Sequence, residues 1–198
     1  APAQFQIAAM QMAMQNQAAA ASALKKSLAL QPDYLDAQVA LATLESAQGH
    51  HDQALAIARQ IQKEKAKSPV GHELEGNLLM TQKKPDLAVS AFERAFAIAR
   101  TGPLMVKLHA SLSLAGKGKA ADLRLTQWLK DHPADMPARM YQAGSYLANQ
   151  QNKAAIDQYQ AVLQQNPNHV PALNTLAWLY QQAKDPRALE YEEKANKL

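Results

Sequence analysis

Two groups of residues in this sequence have side chains that could bind a metal ion. His50, His51 and Asp52 are consecutive, and His72 and Glu75 lie one helical turn apart. A zinc site needs three or four converging ligands, and the chain has no cysteine to complete either group. It also lacks H-E-x-x-H, which places two histidines and a carboxylate together on a helix. We interpret the two groups as solvated polar residues and predict that the protein needs no metal and no cofactor.

Residues that commonly carry catalysis are also sparse. The sequence has no thiol nucleophile, no G-x-S-x-G, no glycine-rich phosphate loop and no paired carboxylates in an apolar context. Ser111 and Ser113 lie within a predicted helix, with no base in register. We therefore expect no catalytic residues and predict that the chain is not an enzyme.

The composition favours a helical protein with a large core. Apolar residues make up 47% and charged residues 19%, which is too apolar for a disordered chain. The net charge of +4 is spread along the sequence, whereas nucleic-acid binders concentrate basic residues in a patch. No apolar run approaches the roughly 20 residues that span a bilayer. We expect neither a nucleic-acid partner nor a membrane span, and the absence of cysteine is compatible with the cytosol or the periplasm.

An internal repeat of about 34 residues organises the chain. Chance would rarely keep two residue types in phase over this length, and such a period indicates stacked supersecondary units. The in-phase prolines are Pro69, Pro103, Pro137 and Pro171. The in-phase alanines are Ala20, Ala54, Ala88, Ala121, Ala155 and Ala188.

Each repeat is predicted to be a hairpin of helix A, a short turn and helix B. Gly49 and Gly116 fall in the A–B turn, where a positive φ is often needed. Asn166 precedes Pro167, which disfavours helix there and ends helix B of the fifth repeat. The small alanines let the two helices approach closely. Residues predicted to be buried between helices are Ala88, Phe92, Ala121, Leu125, Trp128, Ala155, Tyr159 and Val162.

The repeat pattern resembles that of the tetratricopeptide repeat (TPR). An alanine is followed by an aromatic or aliphatic residue at +4, a small or apolar residue at +7 and a proline at +12. Ala155, Tyr159, Val162 and Pro167 match this pattern fully. The resemblance implies an all-α, right-handed superhelical solenoid of six hairpins in one array. The expected repeats span 1–34, 35–68, 69–101, 102–135, 136–169 and 170–198.

Two C-terminal segments carry a finer resemblance. Residues 166–180, Asn-Pro-Asn-His-Val-Pro-Ala-Leu-Asn-Thr-Leu-Ala-Trp-Leu-Tyr, are similar to the last repeats of bacterial TPR lipoproteins that accompany exopolysaccharide and exosortase (PEP-CTERM) protein-sorting systems. Residues 185–191, Asp-Pro-Arg-Ala-Leu-Glu-Tyr, are similar too. This resemblance implies a periplasmic or outer-membrane-tethered scaffold, with any lipid anchor outside the sequence given.

The TPR resemblance also implies a binding groove for a protein or peptide ligand. In such proteins the second, fifth, ninth and twelfth residues of each helix A face the ligand. At these positions the chain is mostly apolar or small, which favours contact with a peptide or a partner helix. The expected groove residues are Phe5, Val39, Thr43, His72, Gly76, Leu79, Val106, Ala110, Met140, Gly144, Leu147, Asn174 and Trp178.

An alternative function is that of a self-associating spacer whose ends stack. A terminal hairpin exposes the apolar face that a neighbour would cover. The first helix has apolar residues at Phe5, Ile7, Met10 and Met14. In the last helix, which is expected to reach Leu198, the apolar residues are Leu189, Tyr191, Ala195 and Leu198.

Overall fold

The computed structural model describes all 198 residues and contains twelve α-helices and no β-strand. The predicted all-α fold class is confirmed. No helix is both long enough and apolar enough to cross a membrane. The helices are α1 (Pro2–Ala13), α2 (Gln17–Leu30), α3 (Leu35–Ala47), α4 (His51–Glu64), α5 (Val70–Thr81), α6 (Pro85–Ile98), α7 (Gly102–Leu114), α8 (Gly118–Asp131), α9 (Met136–Ala148), α10 (Asn152–Gln165), α11 (Val170–Gln182) and α12 (Arg187–Asn196).

The turn inside each hairpin contains one residue in the left-handed region. The predicted positive φ of Gly49 and Gly116 is confirmed, at 84° and 76°. A side chain disfavours this conformation, but four hairpins adopt it without glycine. Those residues are Gln15, Lys83, Gln150 and Lys184. The turn geometry is therefore repeated in every hairpin, whether or not the sequence marks it with a glycine.

Side chains and proline positions define several helix ends. Asn16 and Asp135 cap α2 and α9, since each side-chain oxygen accepts a hydrogen bond from the backbone N–H three residues on. The Nδ1 atom of His169 does the same for α11. α10 ends at Gln165, and Asn166 has an extended backbone with φ −134°, as expected for a residue that precedes proline.

The interior lies between paired helices, where the in-phase alanines allow close approach. The first five of these alanines are fully buried, and the sixth, Ala188, is half-buried. All eight residues predicted to be buried between helices are buried. Phe92 is 1% exposed and is the largest fully buried side chain. The predicted register of helix B is therefore confirmed.

The chain divides into two compact units. The first contains Ala1–Leu104 with Leu114–Gly116, and the second contains Met105–Ser113 with Lys117–Leu198. In the first unit α1 packs with α2, α3 with α4 and α5 with α6. In the second unit α9 packs with α10 and α11 with α12.

The last helix differs in two details from the sequence-based expectation. α12 ends at Asn196 rather than reaching Leu198, so Leu198 lies beyond the helix. Tyr191 does not lie on an open face, because its ring stacks on Tyr180 of α11 at a centroid distance of 5.5 Å. Leu189 remains an exposed apolar residue of α12.

Candidate functional site

His50 makes an ordinary polar contact at a helix end, but His72 is not solvated as predicted, because it is partly buried and its Nδ1 atom has no hydrogen-bond partner. The Nδ1 atom of His50 lies 2.7 Å from Oε2 of Glu45. Glu75 lies 3.9 Å from His72 and accepts a hydrogen bond of 3.1 Å from Arg94. Burial, followed by the positive charge of Arg94, lowers the pKa of His72 below 6.5. The structure brings no three histidine, aspartate or glutamate side chains into a metal-binding arrangement.

Groove residues predicted in the first unit take part mainly in packing. The ring of Phe5 contacts that of Tyr34 edge to face, with centroids 5.5 Å apart. Leu79 is buried. Val39 is half-buried against the core of the second hairpin, and Thr43 is exposed and donates to its own helix backbone.

Gly76 corrects one sequence-based interpretation. As a small residue it is among the expected groove residues, but a Cβ atom at Gly76 would lie 2.5 Å from Cε1 of Phe92. That ring is buried, so it cannot move aside easily. The glycine therefore allows α5 to approach α6 and opens no space for a ligand.

Groove residues predicted in the second unit are more open. Val106, Ala110, Met140, Gly144 and Leu147 are all half-buried. Met140 and Leu147 contact the core with one side and reach solvent with the other. A Cβ atom at Gly144 would meet nothing within 4 Å. The face of α9 therefore has apolar walls beside an open position, an arrangement suited to receiving an apolar side chain.

The last two predicted groove residues lie on an exposed part of α11. Asn174 and Trp178 line a cavity of about 400 Å³ together with Leu189 and Glu192 of α12. Trp178 is 48% exposed. A large aromatic side chain that is half in water is typical of residues that anchor a partner.

Sequence reasoning missed a buried polar cluster, which we call the histidine bridge. His109 of α7 is 1% exposed, and its two ring nitrogens each lie 3.0 Å from a partner, Tyr141 Oη of α9 and Asp122 Oδ1 of α8. A neutral imidazole satisfies both contacts when Nε2–H donates to the carboxylate and Nδ1 accepts the tyrosine proton. The bridge therefore ties three helices of the second unit together.

A register argument could have predicted that His109 is a buried polar residue, but not which groups it contacts. In three other repeats the position of His109 is occupied by a fully buried alanine, namely Ala8, Ala42 and Ala143. A histidine there must be buried, and a buried polar group needs partners.

The environment of the bridge favours the protonated form of its tyrosine. Burial, and secondarily the charge of Asp122, raises the pKa of Tyr141 above 10.0. The hydroxyl therefore stays protonated at neutral pH and is able to donate to His109. Asp122 is partly exposed and lines a cavity of about 690 Å³ with Tyr146, Lys153 and Asp157.

Comparison with known families decides the classification. Two family models, both described as tetratricopeptide repeat, match residues 11–78 and 115–170. The chain belongs to the tetratricopeptide repeat family. A comparison of the sequence with curated proteins finds no match.

Solved TPR structures share the fold at low sequence identity. A thermophilic TPR protein of Thermus thermophilus is 18% identical, with a TM-score of 0.65, over 91% of this chain and 98% of that one. PilF of Pseudomonas aeruginosa is 17% identical, with a TM-score of 0.66, over 99% of this chain and 90% of that one. YrrB, described as a TPR protein with an unusual peptide-binding site, is 22% identical, with a TM-score of 0.54, over 88% of this chain and 91% of that one.

TPR membership sets the general class of function. TPR proteins are generally non-catalytic scaffolds that bind protein or peptide partners. Within this chain, the half-exposed A-helix residues of the second unit are the ones whose geometry suits such a role.

Proposed function

We propose that this TPR protein is a non-catalytic scaffold that holds an apolar peptide or helix of a partner protein along α9. The observation that carries the proposal is the open position at Gly144 between the half-buried side chains of Met140 and Leu147. The three residues are spaced i, i+4 and i+7, so they follow one face of the helix.

The chemistry of this face favours an apolar ligand. Met140 and Leu147 offer apolar contact, and a methionine side chain adapts to ligands of different shape. Gly144 leaves room for one inserted side chain. Asn174 and Trp178 on α11 extend the surface with an amide, which fixes peptide orientation by hydrogen bonding, and an aromatic anchor.

We further propose that the scaffold serves a bacterial envelope assembly that sorts proteins or exports polysaccharide, in the periplasm or tethered to the outer membrane. Support for this finer assignment comes from the resemblance of residues 166–180 and 185–191 to the TPR lipoproteins of PEP-CTERM systems. Cell fractionation of the source organism with an antibody against the chain tests it, and recovery in the cytosolic fraction alone would refute it.

Peptide selection tests the binding surface directly. A random peptide library is panned on the 198-residue chain, and the affinity of each selected peptide is measured by calorimetry. We expect peptides with apolar anchors whose affinity falls at least tenfold in Gly144→Leu, because the new side chain occupies the open position. The variant should fold well, since leucine is a better helix former than glycine.

A matched control distinguishes blockage of the α9 face from a general disturbance of the fold. Leu123→Ala changes an exposed leucine of α8 that belongs to neither the α9 face nor the α11 surface, so it should leave peptide affinity unchanged. If the selected peptides bind Gly144→Leu and wild type equally, α9 is not the binding surface.

A further inference from the structure

The last hairpin has an open groove between its two helices, which we call the end groove. Trp178 and Gln181 of α11 form one side, and Leu189 and Glu192 of α12 form the other. Leu189 is 61% exposed. The groove is therefore a partly apolar surface that no other element of the chain covers.

On the α10 side, the corresponding groove of the preceding hairpin is covered by α11, whereas Gly144, at the register of Trp178, stays open. The repeat places Ile156 and Tyr159 of α10 at the positions of Leu189 and Glu192. Both lie in a core to which Leu176 and Leu179 of α11 contribute. The α12 side of the end groove is thus the surface on which the first helix of a following hairpin would pack.

α1 has an unused face that suits this groove. In the repeat register, Ile7 corresponds to Leu176 and Met10 to Leu179. Leu41 and Leu74, at the register of Ile7 in α3 and α5, are buried against the preceding hairpins. Ile7 is 43% exposed and Met10 is 65% exposed. α1 therefore presents the apolar residues of a packing helix with much of their surface exposed.

Polar residues on the two surfaces also match. In the internal contact, Gln160 of α10 donates a hydrogen bond of 3.0 Å to the Tyr180 hydroxyl of α11. The repeat maps this pair onto Glu193 of α12 and Gln11 of α1, a carboxylate and an amide that can donate to it. α1 contains no charged side chain, so Glu192 would meet no like charge.

We propose that the end groove binds α1 of a second copy of this chain, which takes the place of the first helix of a following hairpin. The contact joins two different surfaces, so it is a head-to-tail association. It goes beyond the binding of a partner peptide along α9, because neither α1 nor α12 contributes to that face, although Trp178 belongs both to the end groove and to the α11 part of the proposed peptide surface.

Two single variants and their mixture test the proposal. Ile7→Glu places a charge on the α1 face, and Leu189→Glu places one in the end groove. Leu123→Glu is the control, since Leu123 is an exposed leucine on α8, outside both surfaces. Average mass is measured by light scattering over a concentration series, and circular dichroism melting confirms that each variant is folded.

The head-to-tail arrangement predicts a distinctive pattern of association among wild type, the single variants and their mixture. Wild type and Leu123→Glu should rise above the monomer mass of 21.6 kDa as concentration increases, and each of the other two variants should associate at least tenfold more weakly. Mixing Ile7→Glu with Leu189→Glu should restore a dimer, because one copy keeps an intact groove and the other an intact α1. A monomeric wild type, or a mixture that stays monomeric while wild type associates, would overturn the proposal.

A charge introduced at Gln11 tests the register. Gln11→Lys should strengthen association about two- to fivefold, the effect of an exposed ion pair. The gain should disappear in Glu193→Gln, because the lysine then lacks its carboxylate partner. A gain that persists in that background would show that α1 does not sit in this register.

Discussion

Gly76 of α5 lies so close to Phe92 of α6 that a Cβ atom at Gly76 would be 2.5 Å from the ring. Gly144 occupies the same register two repeats later, and a Cβ atom there would meet nothing within 4 Å. One glycine is needed for two helices to meet, and the other leaves a position open beside the α9 face.

Alanine substitutions at these two glycines should have opposite effects on stability. Gly144→Ala should raise the free energy of unfolding by about 0.5–1 kcal/mol, because alanine is the better helix former and finds free space. Gly76→Ala should lower it by about 1–3 kcal/mol through overpacking against Phe92. Urea unfolding of the two variants measures both. Equal changes of the same sign would mean that α5 and α6 are not packed as described.

Loss of the tyrosine hydroxyl from the histidine bridge should destabilise the second unit. Tyr141→Phe leaves the buried Nδ1 of His109 without its 3.0 Å partner, and an unsatisfied buried polar group costs about 1–3 kcal/mol. Tyr34→Phe is the control, since it keeps the ring contact with Phe5. Thermal unfolding should show a lower midpoint for Tyr141→Phe than for Tyr34→Phe, and coinciding curves would contradict the bridge.

His72 should make the protein less stable as the pH falls below 6.5. Its pKa in the folded protein is lowered by burial and by Arg94, so the unfolded chain binds the proton first. The contribution of His72 to stability is present above pH 6.5 and is lost as the pH falls through the folded pKa. Urea unfolding at a series of acidic pH values should show a weaker pH dependence for His72→Gln than for wild type. His51→Gln, at an exposed histidine, should behave as wild type. Identical profiles for wild type and His72→Gln would show that burial of this ring is not linked to its protonation.

The sequence alone determined the hairpins, their order and the residues between paired helices. This was possible because each hairpin is a local structure of about 34 residues, repeated with the same small and large residues in phase. Phe92 and Tyr159 are buried where the alanine phase placed them. The helix end at Asn166 and the turns at Gly49 and Gly116 follow from the backbone preferences of single residues, so they too can be predicted from the sequence.

Only the tertiary structure decided which residues of the A helices are open to a ligand. Gly76 and Gly144 are equivalent in the repeat, yet one is closed by Phe92 and the other is not. The residue at the register of Phe92 in the hairpin of Gly144 is Tyr159, a ring of similar size. The placement of the ring and of the two helices makes the difference, and one-dimensional periodicity does not contain that information. The same holds for His109, whose partners Tyr141 and Asp122 come from two other helices. A buried polar side chain is satisfied only by groups that the fold brings within hydrogen-bond distance, so the bridge exists only once the three helices are packed.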